Sequence, residues 1–173
     1  MVNKYNRTMA KRIITKIGDI FSVTLNNGKQ RFFQYIANDL SCLNSSVIRV
    51  FKREYSEECE LRPEEVVDDD VDFYAHTVLK WGIVDGYWQK KGKCLNVGDT
   101  ENILFRMYHS DAVNHKDRLW YAWYINKDRF DVGLLSESFR DKSDIGLVIP
   151  TKAIVGRIRD GRMPGTMFWP EEY

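Results

Sequence analysis

The sequence predicts a mostly β fold: an antiparallel barrel or sandwich of about eight to ten short strands, with at most one or two short helices. Three observations lead there. Apolar residues alternate with polar ones over short runs. Turn-forming residues recur roughly every 10–12 residues. No long segment shows the helical apolar period that would alternate with strands in a parallel α/β fold. Aromatic residues make up 13% of the chain, which suits cores built on pleated surfaces.

The stretch Ile17–Ala37 is the clearest element. Phe21, Val23 and Leu25 alternate with Ser22 and Thr24, and Phe33 and Tyr35 resume the pattern after Asn26-Asn27-Gly28-Lys29. Asn-Gly accepts the positive φ of a tight turn, so this reads as a β-hairpin. Asn38–Ser46 is turn-rich and leads into Val47–Phe51, a third strand that makes a meander. Val71–Gly82 reads as a further strand, with Phe73, Ala75, Thr77 and Leu79 on one parity. Ile103–Tyr108 and Phe130–Leu135 are strand candidates, and Leu119–Ile125 is apolar enough for a central, doubly buried strand. Ser136–Lys142 is irregular or one helical turn, Gly161–Gly165 is a turn, and Asp144–Pro150 and Ala153–Arg159 read as two short closing strands.

The expected organisation is a basic N-terminal arm over 1–16, with five basic residues and no acid, followed by a single mostly β domain over 17–173. A chain of this length buries roughly two-thirds of its unfolded surface and needs no staple. Cys42, Cys59 and Cys94 are odd in number and widely spaced, so a reducing, cytoplasmic setting is expected and a disulfide framework is not. No apolar run follows the basic N-terminus as a secretory signal requires, and none approaches the ~20 residues of a membrane helix.

The net charge of +1 conceals an asymmetry. An acidic insert over 54–72 holds ten acidic residues and one basic residue, Arg62; the remainder carries 25 basic against 15 acidic, or +10. Within the insert, Pro63 followed by Glu64 and Glu65 predicts a short helical turn, with proline at the first position and acids where the helix dipole favours them. Asp68-Asp69-Asp70 does not continue a helix. Glu57, Glu58, Glu60, Glu64, Glu65, Asp68, Asp69, Asp70 and Asp72 are therefore the candidate partner-binding residues, a docking surface for a basic protein. The plainer reading is a solvated, solubilising loop.

Catalytic chemistry has no local signature. His76, His109 and His115 stand near no nucleophile motif in sequence, and no catalytic residue is expected. His109, Asp111, His115 and Asp117 are metal-type ligands in one polar loop that nothing pre-orders, so no metal is expected. Phosphate-cradling glycine motifs are absent, and no cofactor is expected. Lys90, Lys91 and Lys93 near Trp88, Arg106 beside Phe105, and Arg118 before Trp120 supply the cations and rings of a single-strand nucleic-acid surface. That makes a small β-barrel nucleic-acid-binding protein the alternative function.

The stretch GDIFSVTLNNGKQRFFQYI resembles the opening of the immunity protein 26 family of bacterial polymorphic-toxin systems, through Gly18, Asp19, Ile20, Phe21, Gly28, Lys29, Phe32 and Phe33. The likeness covers about Lys16–Ile36. It implies a mostly β, non-enzymatic cytoplasmic protein that binds a cognate toxin and neutralises it by occlusion. Many such toxins carry basic, nucleic-acid-directed clefts, which the acidic insert would complement.

Overall fold

The computed structural model describes residues 12–60, 62–109 and 117–161. Most of the basic arm, together with Asp111, His115 and the turn after Gly161, lies outside these residues. The hairpin forms as expected, with β1 (Asp19–Thr24) antiparallel to β2 (Lys29–Asp39) and Phe21 opposite Phe33. Its loop closes through Gly28 N–H to the Leu25 carbonyl (3.2 Å) and Leu25 N–H to the Lys29 carbonyl (2.7 Å). Gly28 alone in the loop takes positive φ (76°), while the Asn27 carboxamide accepts the Lys29 N–H at 3.0 Å. This is a three-residue connection in which glycine supplies the left-handed residue.

β3 (Ser45–Phe51) completes the meander, and β5 (Val71–Thr77) and β6 (Gln89–Lys93) flank it in the order β5-β3-β2-β1-β6. The two-residue β4 (Tyr55–Ser56) adds to the start of β2. This first sheet is buried on both faces. On one, Phe21, Val23, Phe33, Tyr35, Ile48, Val50, Phe73 and Ala75 pack under Leu79 of α2 (Leu79–Val84), Trp88, and Ile154, Val155 and Ile158 of α4 (Thr151–Asp160). Phe33 stacks on Phe21 and meets Trp88 edge-on, with centroids 5.1 and 5.2 Å apart. On the opposite face, Ile20, Phe32 and Phe51 receive Val66 and Val67 of α1 (Pro63–Val67).

The second sheet runs β10-β7-β8-β9, with β7 Leu104–Tyr108, β8 Leu119–Tyr124, β9 Phe130–Leu134 and β10 Asp144–Ile145. β8 is central, as its apolar run predicts; Trp120, Ala122 and Trp123 are buried, whereas its end residues Leu119 and Tyr124 are exposed. α3 (Glu137–Arg140) is the expected single turn, capped by the Ser136 hydroxyl. The two sheets share one apolar cluster, Ile36, Ala37 and Val47 against Ile103, Phe105, Trp123 and Ile125. Among the described residues the result is sandwich-like, with ten strands and no closed barrel.

Residues 144–149 cross between the sheets. Ile145 pairs in parallel with Arg106 of β7, and Val148 pairs in parallel with His76 of β5. The Gly146 N–H donates to the Arg106 carbonyl (2.8 Å) and the Ile149 N–H to that of His76 (2.8 Å). At the same seam, the fully buried Asp39 carboxylate accepts from Trp123 Nε1 (2.7 Å) and the Ser41 hydroxyl (3.0 Å), and lies 3.0 Å from His76 Nε2.

Three expectations are corrected. Ala153–Arg159 is the body of α4 rather than a strand. Its β-branched residues suggest a strand, but Ile154, Val155 and Ile158 fall on one helical face between exposed Lys152 and Arg159. Pro150 precedes the helix, and Gly161 ends it in the left-handed region (φ 68°), its N–H on the Arg157 carbonyl at 2.9 Å. The strand expected over Val71–Gly82 stops at Thr77; Leu79–Val84 is helical, and its Gly82 lets the Trp88 indole lie against the backbone. Gln89–Lys93 forms the edge strand β6 despite its lysines, hydrogen-bonded to β1 on one side. With α1 and α3, this gives four short helices among the described residues, more than the expected one or two.

Candidate functional site

The acidic insert leaves the sheet at the end of β3 and returns at β5, and it is pinned where it leaves. Lys52 N–H donates to the Asp70 carbonyl (3.0 Å), and Arg53 N–H donates to the Asp69 carboxylate (2.7 Å). Tyr55 lies edge-on to Phe32, centroids 5.3 Å apart. α1 then starts at Pro63 and buries Val66 and Val67 in the sheet. Pro63 also sits against Gly92 of β6, where an added Cβ would come within 2.9 Å of the ring. The insert is thus a packed part of the fold and not a solvated tether.

This anchoring divides the nine predicted carboxylates. Glu57, Glu58, Glu60, Glu64, Glu65, Asp68 and Asp70 are exposed. Glu65 is paired within α1 to the Arg62 guanidinium, whose Nε donates at 2.8 Å. Asp69 faces inward, its side chain only 8% exposed, and accepts the Arg53 and Asp70 N–H groups. Asp72 sits beyond the return of the chain and accepts from Arg31 Nη2 at 2.6 Å. Asp69 is thereby taken out of the docking set, whereas Asp72, though ion-paired, keeps an exposed side chain. Glu54 is held by Lys29 and Asn27, whose hydrogen bonds keep its carboxyl below the ordinary range. Lys90, Lys91 and Lys93 are exposed along β6, so the carboxylate face borders a cationic edge.

A second concave feature escaped the sequence reading. Asp72, Arg106, Arg140, Ser143, Asp144 and Arg157 line a polar cleft of about 290 Å³ between α4 and the segment after α3. Its charges are answered within the protein. Arg157 lies 3.8 Å over the Phe73 ring and 3.5 Å from Asp144, Arg31 holds Asp72, and Arg106 Nη1 donates to the carbonyls of Arg140 and Ser143. These residues come from five elements spread over half the chain, so no local motif marks them.

The remaining candidates are placed as follows. His76 is fully buried. His109 is half-exposed, 4.9 Å from the Tyr121 ring and 3.5 Å from Asp131. Burial pushes the Cys42 thiol up, away from the thiolate a nucleophile needs. Among the described residues, no three metal-type side chains gather. Trp88, Phe105 and Trp120 are buried, at 1%, 0% and 5% exposure, and so present no stacking surface. Lys90 is paired 2.7 Å from Asp19. No helix among the described residues is long and apolar enough to cross a membrane.

Comparison with protein-family models, characterised proteins and solved structures finds no match. The reading of function therefore rests on the chain's own residues, foremost the carboxylates exposed on the acidic insert.

Proposed function

We propose that this chain is a non-enzymatic protein-binding module, an immunity protein that neutralises a cognate bacterial toxin by occluding a basic surface the toxin needs. One observation carries the reading: Glu57, Glu58, Glu60, Glu64, Glu65, Asp68 and Asp70 stand outward on an insert that is packed and pinned at its base. Mutual repulsion among these groups opposes folding, and the fold retains them on a rigid support. A pre-ordered carboxylate surface presents complementary charge without first having to order a loop, which favours fast, selective capture of a cationic partner.

The test is co-expression with the product of the adjacent gene. The expected result is that the neighbour arrests growth alone and that this chain relieves the arrest. The quadruple variant Glu64→Lys, Glu65→Lys, Asp68→Lys, Asp70→Lys should lose relief and direct binding while keeping its urea unfolding midpoint. A harmless neighbour, or an arrest the chain does not relieve, removes the immunity reading. Full relief by the quadruple variant removes the acidic docking face. Salt-sensitive retention of single-stranded oligonucleotides would instead favour the nucleic-acid alternative.

A further inference from the structure

We propose that the sheet β10-β7-β8-β9 is a releasable layer, with the contact of His76 and Trp123 on Asp39 as an acid-sensitive latch holding it to the first sheet. The first sheet has its own core on each face, one under α2 and α4 and one under α1. The second sheet shares only the cluster around Phe105 and Trp123. Loss of that seam would expose one apolar cluster of the first sheet and leave its other two intact, the pattern of a sub-global opening.

Polar ties across the seam include Leu40 N–H to Asn126 Oδ1 (2.7 Å), the Ser41 hydroxyl to the Lys127 carbonyl (3.1 Å) and Tyr74 N–H to Asp144 Oδ2 (3.0 Å), and its fully buried side-chain contacts converge on one carboxylate. Asp39, at the end of β2, accepts Trp123 Nε1 from β8 at 2.7 Å on the same oxygen that lies 3.0 Å from His76 Nε2 of β5. Its second oxygen accepts the Ser41 hydroxyl at 3.0 Å and the Cys42 and Asn126 N–H groups at 3.4 Å. Neither Asp39 nor His76 has exposed side-chain surface. His76 gives its Nε2 proton to Asp39, and its Nδ1 is buried without a partner. Its ring lies 4.2 Å from that of Phe105 and 6.3 Å from that of Trp123.

A second proton on Nδ1 would aim a donor at hydrocarbon, so the closed seam admits the neutral ring and the opened one admits both forms. The groups facing the ring are Asp39 from β2, Val47 from β3, Phe105 from β7, Trp123 from β8 and Val148 from the crossing segment. Asp39 is the charged one among them. Cys42 lies beside Asp39, with Asp128 and Arg129 acting on that thiol.

Burial lowers the His76 pKa from its ordinary 6.5, outweighing the pull of Asp39. The closed state therefore binds fewer protons than the open one below that pH. Closure is fully favoured above pH 6.5 and weakens as pH falls, the open population rising by up to about tenfold per pH unit. Because α1 packs on the first sheet, the carboxylate face stays with the retained layer.

Hydrogen exchange of the full chain between pH 7 and 4.5, corrected for intrinsic rates, tests this. The expected result is that β7–β9 amides lose protection about tenfold or more beyond any loss in β1–β3, with most of the difference appearing below pH 6.5. The Trp123 indole N–H resonance, assigned with Trp123→Phe, should change over the same range. His76→Gln keeps a donor toward Asp39 and cannot titrate, so it should remove the pH dependence of the difference. Parallel loss of protection in both sheets, or unchanged protection of β7–β9, overturns the proposal. So does a folded His76→Gln protein with wild-type pH behaviour. If His76→Gln does not fold, the wild-type exchange pattern decides.

Discussion

Asp68 and Asp69 are neighbours in sequence and opposites in role. Asp68 is exposed at the end of α1, whereas Asp69 turns inward and accepts two backbone N–H groups, one of them 16 residues away at Arg53. Removing a carboxylate that accepts two backbone N–H groups costs more than removing one that meets only water. Asp69→Ala is expected to lose about 1–2 kcal/mol of stability in urea unfolding, and Asp68→Ala to stay within about 0.5 kcal/mol. Equal losses would show that Asp69 does not anchor the insert. At this scale the sequence shows an unbroken acidic triplet, because residue type alone cannot say which carboxylate meets a backbone donor. The buried pair Gln34 and Arg49 is equally illegible. Arg49 Nε donates to Gln34 Oε1 at 2.9 Å, and Nη2 donates to the Asn96 carbonyl at 2.7 Å. That cover comes from a loop far along the chain.

Among elements, the crossing segment 144–149 hydrogen-bonds to both sheets, and it passes the seam at one glycine. The Trp123 indole lies where a Cβ on Gly146 would be, and Trp123 is itself fixed by the buried Asp39. Gly146→Ala must therefore push the indole or the strand aside, and is expected to cost about 1–3 kcal/mol as overpacking. Thermal unfolding followed by tryptophan fluorescence measures this, and an unchanged midpoint would mean that the seam has room to spare. The hairpin, the third strand and α1 were legible because each has a local cause: alternation, Asn27-Gly28, and Pro63 ahead of two acids. α4 was not, because Ile154, Val155 and Ile158 serve a strand face or a helix face equally well, and the sheet beneath them decides between the two.

For the whole molecule, the near-neutral net charge averages a carboxylate face against a cationic remainder. A field of this kind acts on encounter more than on the bound state. If the carboxylate face docks the proposed cationic partner, association is expected to slow by about tenfold or more between low and ~0.5 M salt while dissociation changes little; stopped-flow or surface-plasmon measurements separate the two rates. A salt-independent association rate would argue against docking through the carboxylate face.

The sequence by itself determined the mostly β class, the opening meander, the central place of Leu119–Tyr124 and the position of the acidic insert. Each follows from residue type and spacing within a window of about 10–20 residues, the range over which strand period, turn chemistry and helix caps act. Only the tertiary structure decided that Asp69 faces inward, that Asp72 pairs with Arg31 and that Gln89–Lys93 is an edge strand. It likewise decided that α4 covers the first sheet and that Asp39, His76 and Trp123 meet from three strands. Those outcomes depend on which surface each side chain is pressed against, and that surface is supplied by residues tens of positions away.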